Sequence, residues 1–295
     1  VNCQKPFTLD GRAYGCGHCV PCRVKKRREW QHRMMLEAAQ YKDNAFVTLT
    51  YAPEHVPEDG SVSPRISGLF IKRLRKNSQK KFRYFIVGEY GDQNGLPHYH
   101  AALFDFPTCR YGSTRYSTRT PAGEGCCPTC SEIYRSWHFG RVHVGTLEAK
   151  SMAYVAGYIN KKMTRETDPR LEGRRPEFAR MSLRPGLGAG MMHDLASTLM
   201  EHQLEKEMTD VPAVLAHGRA NYPIGRYLRR KLRTYLGRDA NAPQEALDAQ
   251  KEKLQALRTA AFNASVPFKT AILQASEGRR IQIEAHYKRK NRRQL

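Results

Sequence analysis

The sequence predicts an α+β fold, and three observations carry that reading. There is a strand hairpin closed by an Asn-Gly turn, an element order of strand, helix, strand, strand, and long helical periodicity on either side of it. The hairpin is the strongest of the three. Residues 82–90 and 97–104 are rich in aromatic and β-branched side chains, and Asn94-Gly95 between them favours the left-handed backbone of a tight turn. The two strands are therefore expected to pair antiparallel.

Taken in order, Cys16-Gly17-His18-Cys19-Val20-Pro21-Cys22 packs three thiols and an imidazole into seven residues. That spacing suits tetrahedral zinc, with Cys3 or His18 as fourth ligand; reduced cysteines in a loop are the alternative. Residues 22–41 read as helix because Trp30, Met34, Met35, Ala38 and Tyr41 recur at helical intervals. Its basic first turn, Lys25, Lys26, Arg27 and Arg28, is either a solvated face or a phosphate contact. Residues 45–51 form a strand closed by Pro53, 57–64 a loop, and 66–78 a helix with Ile66, Leu69, Phe70 and Leu74 on one side.

Past the hairpin, residues 108–131 have the Gly, Thr, Ser and Pro content of an inserted loop. Cys109, Cys126, Cys127 and Cys130 within it are a second candidate zinc group, although adjacent thiols rarely ligate one ion together. Strand character resumes over 138–145, and residues 149–163 form a helix. On that helix Met152, Val155, Ala156, Ile159 and Met163 fall on one side and Tyr154, Tyr158 and Lys161 on the other. Residues 165–184 are polar and Pro-punctuated, and a helix starts near His193. A turn at 220–225 leads into a basic helix where Arg226, Arg229 and Arg230 alternate with aromatics, as single-strand binders use them, a pattern that a solvated helix explains equally. Helix follows over 243–262, and the basic tail 288–293 is expected to be mobile and electrostatic. The expected domains are a Cys-rich segment 1–24, a core 25–165 with its insertion, and a basic, mainly helical region 166–295.

Composition narrows the partner. Lys and Arg number 50 against 28 Asp and Glu, a formal charge of +22, which points to a polyanion and to nucleic acid first. No run approaches the roughly 20 apolar residues of a spanning helix, and no signal-peptide pattern is present, so no membrane role and a cytoplasmic location are expected.

The chemistry gathers at Pro97-His98-Tyr99-His100. On a strand His98 and His100 share a face and Tyr99 takes the other. A two-residue loop at Asn94-Gly95 makes cross-strand partners sum to about 189 by the pairing rule, setting Glu89 opposite His100 and Gly91 opposite His98. Two imidazoles and a carboxylate suit a divalent metal with open positions. A metal beside Tyr154 and Tyr158 suggests phosphoryl transfer on DNA with tyrosine attacking in line, while Lys161 can donate to a phosphate or stabilise a phenolate.

Three stretches in order, Val47-Thr48-Leu49-Thr50-Tyr51, Pro97-His98-Tyr99-His100 and Tyr154-Val155-Ala156-Gly157-Tyr158-Ile159-Asn160-Lys161-Lys162, resemble the motifs of rolling-circle replication initiators of the His-hydrophobic-His (HUH) endonuclease superfamily. The tyrosine pair, with the cysteine-rich segment running into a basic helix, resembles specifically the initiators of microviruses, the gokushovirus-type single-stranded DNA phages. The likeness spans about residues 16–165. It implies a central antiparallel sheet with flanking helices, Mg2+ or Mn2+ held by His98, His100 and an acidic third ligand, and Tyr154 and Tyr158 alternating as nucleophiles. It further implies phage origin DNA as substrate, single-stranded or supercoiled, host helicase and polymerase as partners, and action in the cytoplasm of a bacterial host; Lys162 is a further candidate DNA contact. Two rivals stay open: a relaxase or transposase using one tyrosine, and a zinc-stabilised DNA-binding regulator with structural histidines.

Overall fold

The computed structural model describes residues 2–91, 94–116, 124–158 and 166–292. In chain order the strands and helices are β1 (Phe7–Leu9), β2 (Arg12–Tyr14), α1 (Val20–Ala38), β3 (Asn44–Thr50), α2 (Pro64–Ser78), β4 (Arg83–Tyr90) and β5 (Pro97–Phe104). There follow α3 (Pro128–Trp137), β6 (Val142–Thr146), α4 (Ala149–Tyr158), β7 (Phe178–Met181) and α5 (Ala189–Glu201). The last are β8 (Val214–His217), β9 (Ala220–Pro223), α6 (Gly225–Tyr235), α7 (Gln244–Asn263), α8 (Phe268–Gln274) and α9 (Glu277–Arg292). The chain divides into two compact units, Trp30–Met191 and Val1–Glu29 with Met192–Leu295.

The unit Trp30–Met191 is built on a five-stranded antiparallel sheet in the order β6-β3-β5-β4-β7. Alternation along the strands gives each face its own layer. Val47, Leu49, Tyr99, Ala101, Leu103 and Ile86 point to one face and are buried with Phe70, Ile71 and Leu74 of α2 and Ile133 and Trp137 of α3. Phe85, Val87, Ala102 and Phe104 point to the other and meet Met34 of α1 and Met152, Val155 and Ala156 of α4. Helix α2 starts where Ser63 accepts the Ile66 amide hydrogen at 3.3 Å, with Pro64 in its first turn.

The hairpin corrects the expected register. Glu89 pairs with His98 and Val87 with His100, so partners sum to 187 rather than the expected value. The connection is longer than two residues: Gly91 and Leu96 still bond across it, at 3.0 Å, and the Gly95 amide closes back on the Gly91 carbonyl at 2.9 Å. Gly95, with φ of 63°, supplies the left-handed residue the turn requires. A slip of two residues preserves faces, so Glu89, His98 and His100 converge as the sequence anticipated.

Other differences have local causes. The inserted loop holds the start of α3, which begins at Pro128 directly after its cap Cys127, a short helix that the preceding Gly and Cys content disguises. The polar stretch 165–184 supplies β7, which completes the sheet beside β4. A small hairpin, β8–β9, precedes α6 where a turn was expected. The basic tail, read as mobile and electrostatic, is helical through Arg292, in α9.

The other unit carries the β1–β2 hairpin, α6 and the helices after it. Leu228 and Leu232 of α6 are buried, and Arg233 clasps Asp210 with two bonds of 2.7 and 2.8 Å. Among the described residues no helix is long and apolar enough to cross a membrane.

Candidate functional site

Three donor groups meet on the α4 side of the sheet. Nε2 of His98 lies 2.8 Å and Nε2 of His100 2.9 Å from Oε1 of Glu89, and the three donors all lie within 4.8 Å of one another. In an octahedral shell with ligands near 2.1 Å, adjacent donors stand about 3.0 Å apart and opposite ones about 4.2 Å. The two separations to Glu89 match adjacent positions of such a shell, and the three residues form a group able to hold a small divalent ion. Glu89 is 1% exposed and His100 7%, so their polar ends are withheld from bulk water.

Each imidazole is held from behind. Nδ1 of His98 faces the Leu96 carbonyl at 3.1 Å and, because a carbonyl only accepts, donates to it; Nε2 is the nitrogen turned toward Glu89 and the one a metal would take. Nδ1 of His100 lies 3.0 Å from the Thr48 hydroxyl, on the residue directly opposite it in β3. Thr48 is a residue of the candidate site that reasoning from the sequence missed. Its signal was available, since Thr48 sits inside the Val47–Tyr51 stretch and on the same face. On β4, the Tyr90 amide donates to buried Glu177 at 3.2 Å, and Arg174 bonds the Gly95 carbonyl at 2.9 Å, both from the polar stretch that looked uninformative.

The tyrosines stand against the same histidine. The His100 ring centroid is 5.1 Å from that of Tyr154, edge-on, and 6.0 Å from that of Tyr158, nearly parallel, with Phe46 stacked at 5.6 Å. The two tyrosine rings are 4.8 Å apart. Their environments differ: Tyr154 is 39% exposed, whereas Tyr158 is 8% exposed and counts among the buried residues of the α4 layer. The expectation that both tyrosines avoid the apolar side therefore holds for Tyr154 only. Lys161 and Lys162 lie outside the described residues.

Both cysteine groups are brought together. Cys3, Cys16, Cys19 and Cys22 place their sulfurs within 4.8 Å of one another, with Cys3 rather than His18 completing the set. The amides of His18 and Cys19 draw the Cys16 thiol down to about 6, while burial pushes Cys22 up to about 12. Cys109, Cys126, Cys127 and Cys130 also converge, adjacent thiols included. Cys127 is the extended cap residue of α3 and Cys130 lies in its first turn, which turns both sulfurs toward Cys109 and Cys126. All eight cysteines are free thiols.

The candidate DNA contacts divide. Lys25, Lys26, Arg226 and Arg230 are exposed, and Arg27 is half-buried. Arg28 is exposed but lies over the Tyr222 ring and bonds the Asn221 carbonyl. Arg229 is committed to Asp210.

Residues 44–163 match the family model described as replication-associated protein ORF2, and all three motifs begin inside that span. The chain resembles phage replication-associated proteins. It is 34% identical over 173 residues to replication-associated protein VP4 of Bdellovibrio phage phiMH2K, covering 54% of this chain and 52% of the relative. It is 33% identical over 157 residues to replication-associated protein ORF2 of Spiroplasma virus 4, covering 50% and 48%. Replication-associated protein ORF4 of Chlamydia phage 1 is 27% identical over 180 residues, covering 55% and 43%. The matches thus span about half the length of these curated relatives. No solved structure matches the chain.

Proposed function

We propose that this chain starts rolling-circle replication of a phage genome by nicking the origin strand of its single-stranded or supercoiled DNA, and later rejoins the ends. The observation that carries the reading is the packing of Tyr154 and Tyr158 against His100, whose Nε2 sits 2.9 Å from Glu89 in a three-donor group. Mg2+ or Mn2+ bound by His98, His100 and Glu89 would draw charge from the scissile phosphate. A phenol oxygen of the pair attacks phosphorus, and the bond from phosphorus to the 3′ oxygen breaks. The phenol proton goes to solvent or a nearby base, and the leaving oxygen takes one up as the 3′ hydroxyl. The 5′ phosphate stays on tyrosine, and the second tyrosine can repeat the exchange in the joining step. Lys161 would donate to a phosphate or stabilise the phenolate, and Lys162 would contact the DNA backbone.

Exposure supports different duties for the two rings, with Tyr154 open to an arriving strand and Tyr158 enclosed beside His100. The two tetrathiol groups suit structural zinc. The freed 3′ hydroxyl would prime a host polymerase, with a host helicase opening the duplex, inside the infected bacterial cell. The test is a labelled origin oligonucleotide incubated with protein and Mg2+ or Mn2+, followed by denaturing electrophoresis. A covalent adduct is expected, lost in the Tyr154→Phe/Tyr158→Phe double variant. Binding without any adduct on origin sequence favours a DNA-binding regulator, and one tyrosine silent in both cleavage and joining favours a single-nucleophile relaxase or transposase.

A further inference from the structure

We propose that Cys109, Cys126, Cys127 and Cys130 bind one zinc ion that clamps the inserted segment onto the outer edge of β6, the strand leading directly into the tyrosine helix. The sulfur positions point to a single ion. Cys109 and Cys126 are 3.6 Å apart, Cys126 and Cys130 3.7 Å, and Cys127 and Cys109 3.9 Å. A zinc tetrahedron with bonds near 2.3 Å has edges of about 3.8 Å. Disulfides need sulfurs at about 2.05 Å, so the thiols are placed for coordination rather than for pairing with each other.

Backbone amides are aimed at the sulfurs as a thiolate centre requires. The Arg115 amide donates to Cys126 at 3.3 Å, that of Tyr111 to Cys109, and those of Arg110 and Cys130 to Cys127. Binding would release the four thiol protons to solvent and leave a net charge of about −2 on the zinc centre, which these donors offset.

Thr114 connects this centre to the sheet. Its hydroxyl lies 3.4 Å from Cys130 and accepts the Val144 amide hydrogen at 2.7 Å, while its own amide donates to the Val144 carbonyl at 2.8 Å. Ser113 bridges to Gly145, and the Tyr116 hydroxyl donates to the Val142 carbonyl at 2.7 Å. Strand β6 is an edge, so these bonds occupy backbone groups that would otherwise be open to another strand. Residues 110–116 have too few apolar side chains of their own to hold that line, and the cysteines on both sides of them provide the fixed points. Two residues separate β6 from α4. The zinc clamp itself rests on thiol and backbone geometry; only its bearing on Tyr154 and Tyr158 rests on the nuclease reading.

The test compares the full chain with a Cys126→Ser/Cys130→Ser variant and a His98→Ala/His100→Ala variant, each purified with zinc and exchanged into magnesium buffer. Elemental analysis should find one zinc fewer per chain in the cysteine variant and no loss in the histidine variant. Hydrogen exchange over 142–146 should rise in the cysteine variant while the β4–β5 hairpin keeps its protection. Equal zinc in wild type and cysteine variant, or iron in place of zinc, overturns the site. Zinc lost with exchange at β6 unchanged overturns the clamp. If the cysteine variant does not fold, cobalt replaces zinc in the unaltered protein and in Cys3→Ser/Cys16→Ser. A thiolate-to-cobalt band remaining in that second protein supports the site, and its absence overturns it. A wild-type protein that never nicks origin DNA overturns the nuclease reading and leaves the zinc and exchange results to stand or fall separately.

Discussion

At the scale of single residues, Thr48 is the side chain whose removal separates metal binding from folding. Its hydroxyl fixes Nδ1 of His100 at 3.0 Å, so the imidazole is oriented before any cation arrives. Thr48→Val keeps the β-branched shape that β3 favours and deletes only the polar partner. The expected outcome is an Mn2+ affinity lowered about 10- to 100-fold, with an unchanged thermal midpoint, read by calorimetric titration. Tyr158→Phe should be equally quiet in stability, since the ring stays in the α4 layer and only its hydroxyl is lost. The convergence of His98, His100 and Glu89 was legible from alternation alone, because side-chain direction has period two and survives a slip of two residues. The partners behind the imidazoles were not, because Leu96 contributes a backbone carbonyl and Thr48 reaches from a strand some fifty positions away in sequence.

At the scale of elements, Trp137 at the end of α3 does what a sequence reading could not assign. It is fully buried between α2 and the sheet, and its indole nitrogen donates to the Thr50 carbonyl at 2.9 Å. Trp137→Ala should destabilise the unit Trp30–Met191 by about 3–5 kcal/mol from lost packing, measured by urea unfolding. Strands 3, 4 and 5 and helix α2 could be read from their periodicity; α3 and β7 could not, since one follows a Cys- and Gly-rich run and the other a stretch of arginines and prolines. Tertiary pairing with β4, not local propensity, makes β7 a strand. In the other unit the element-level anchor is Asp210 beneath α6. Burial works against its charge, but Arg233, the Val211 amide and Arg229 outweigh that and hold the carboxyl below its usual range. A carboxyl depressed in the folded state gives stability present above the unfolded value of about 3.9 and lost as pH falls through the lower folded value. Thermal melts below pH 4 should therefore show a steep acid limb that Asp210→Asn flattens, at the cost of lower stability at neutral pH.

At the scale of the whole molecule, the net charge of +22 suits the proposed DNA substrate and predicts a salt-dependent affinity. Each phosphate neutralised by Lys or Arg releases condensed counterions, so for single-stranded DNA the logarithm of affinity falls with the logarithm of salt at about 0.7 per contact. A footprint of about six contacts would lose roughly four decades of affinity over a tenfold rise in salt. The basic residues do not contribute alike, and composition could not distinguish them. Arg226 and Arg230 are exposed on α6, whereas Arg229 beside them is tied to Asp210. Arg226→Ala/Arg230→Ala should thus lower the salt slope by about 1.4, two contacts' worth, with stability unchanged. Arg229→Ala should do the reverse, lowering the melting temperature and leaving the slope alone, because it strips a buried carboxylate of one partner. Fluorescence anisotropy on a labelled single strand at several salt concentrations reads the slopes directly. An identical slope in wild type and the Arg226/Arg230 variant removes α6 from the DNA footprint and places the contacts elsewhere on the basic surface, with exposed Lys25 and Lys26 the next to be tested.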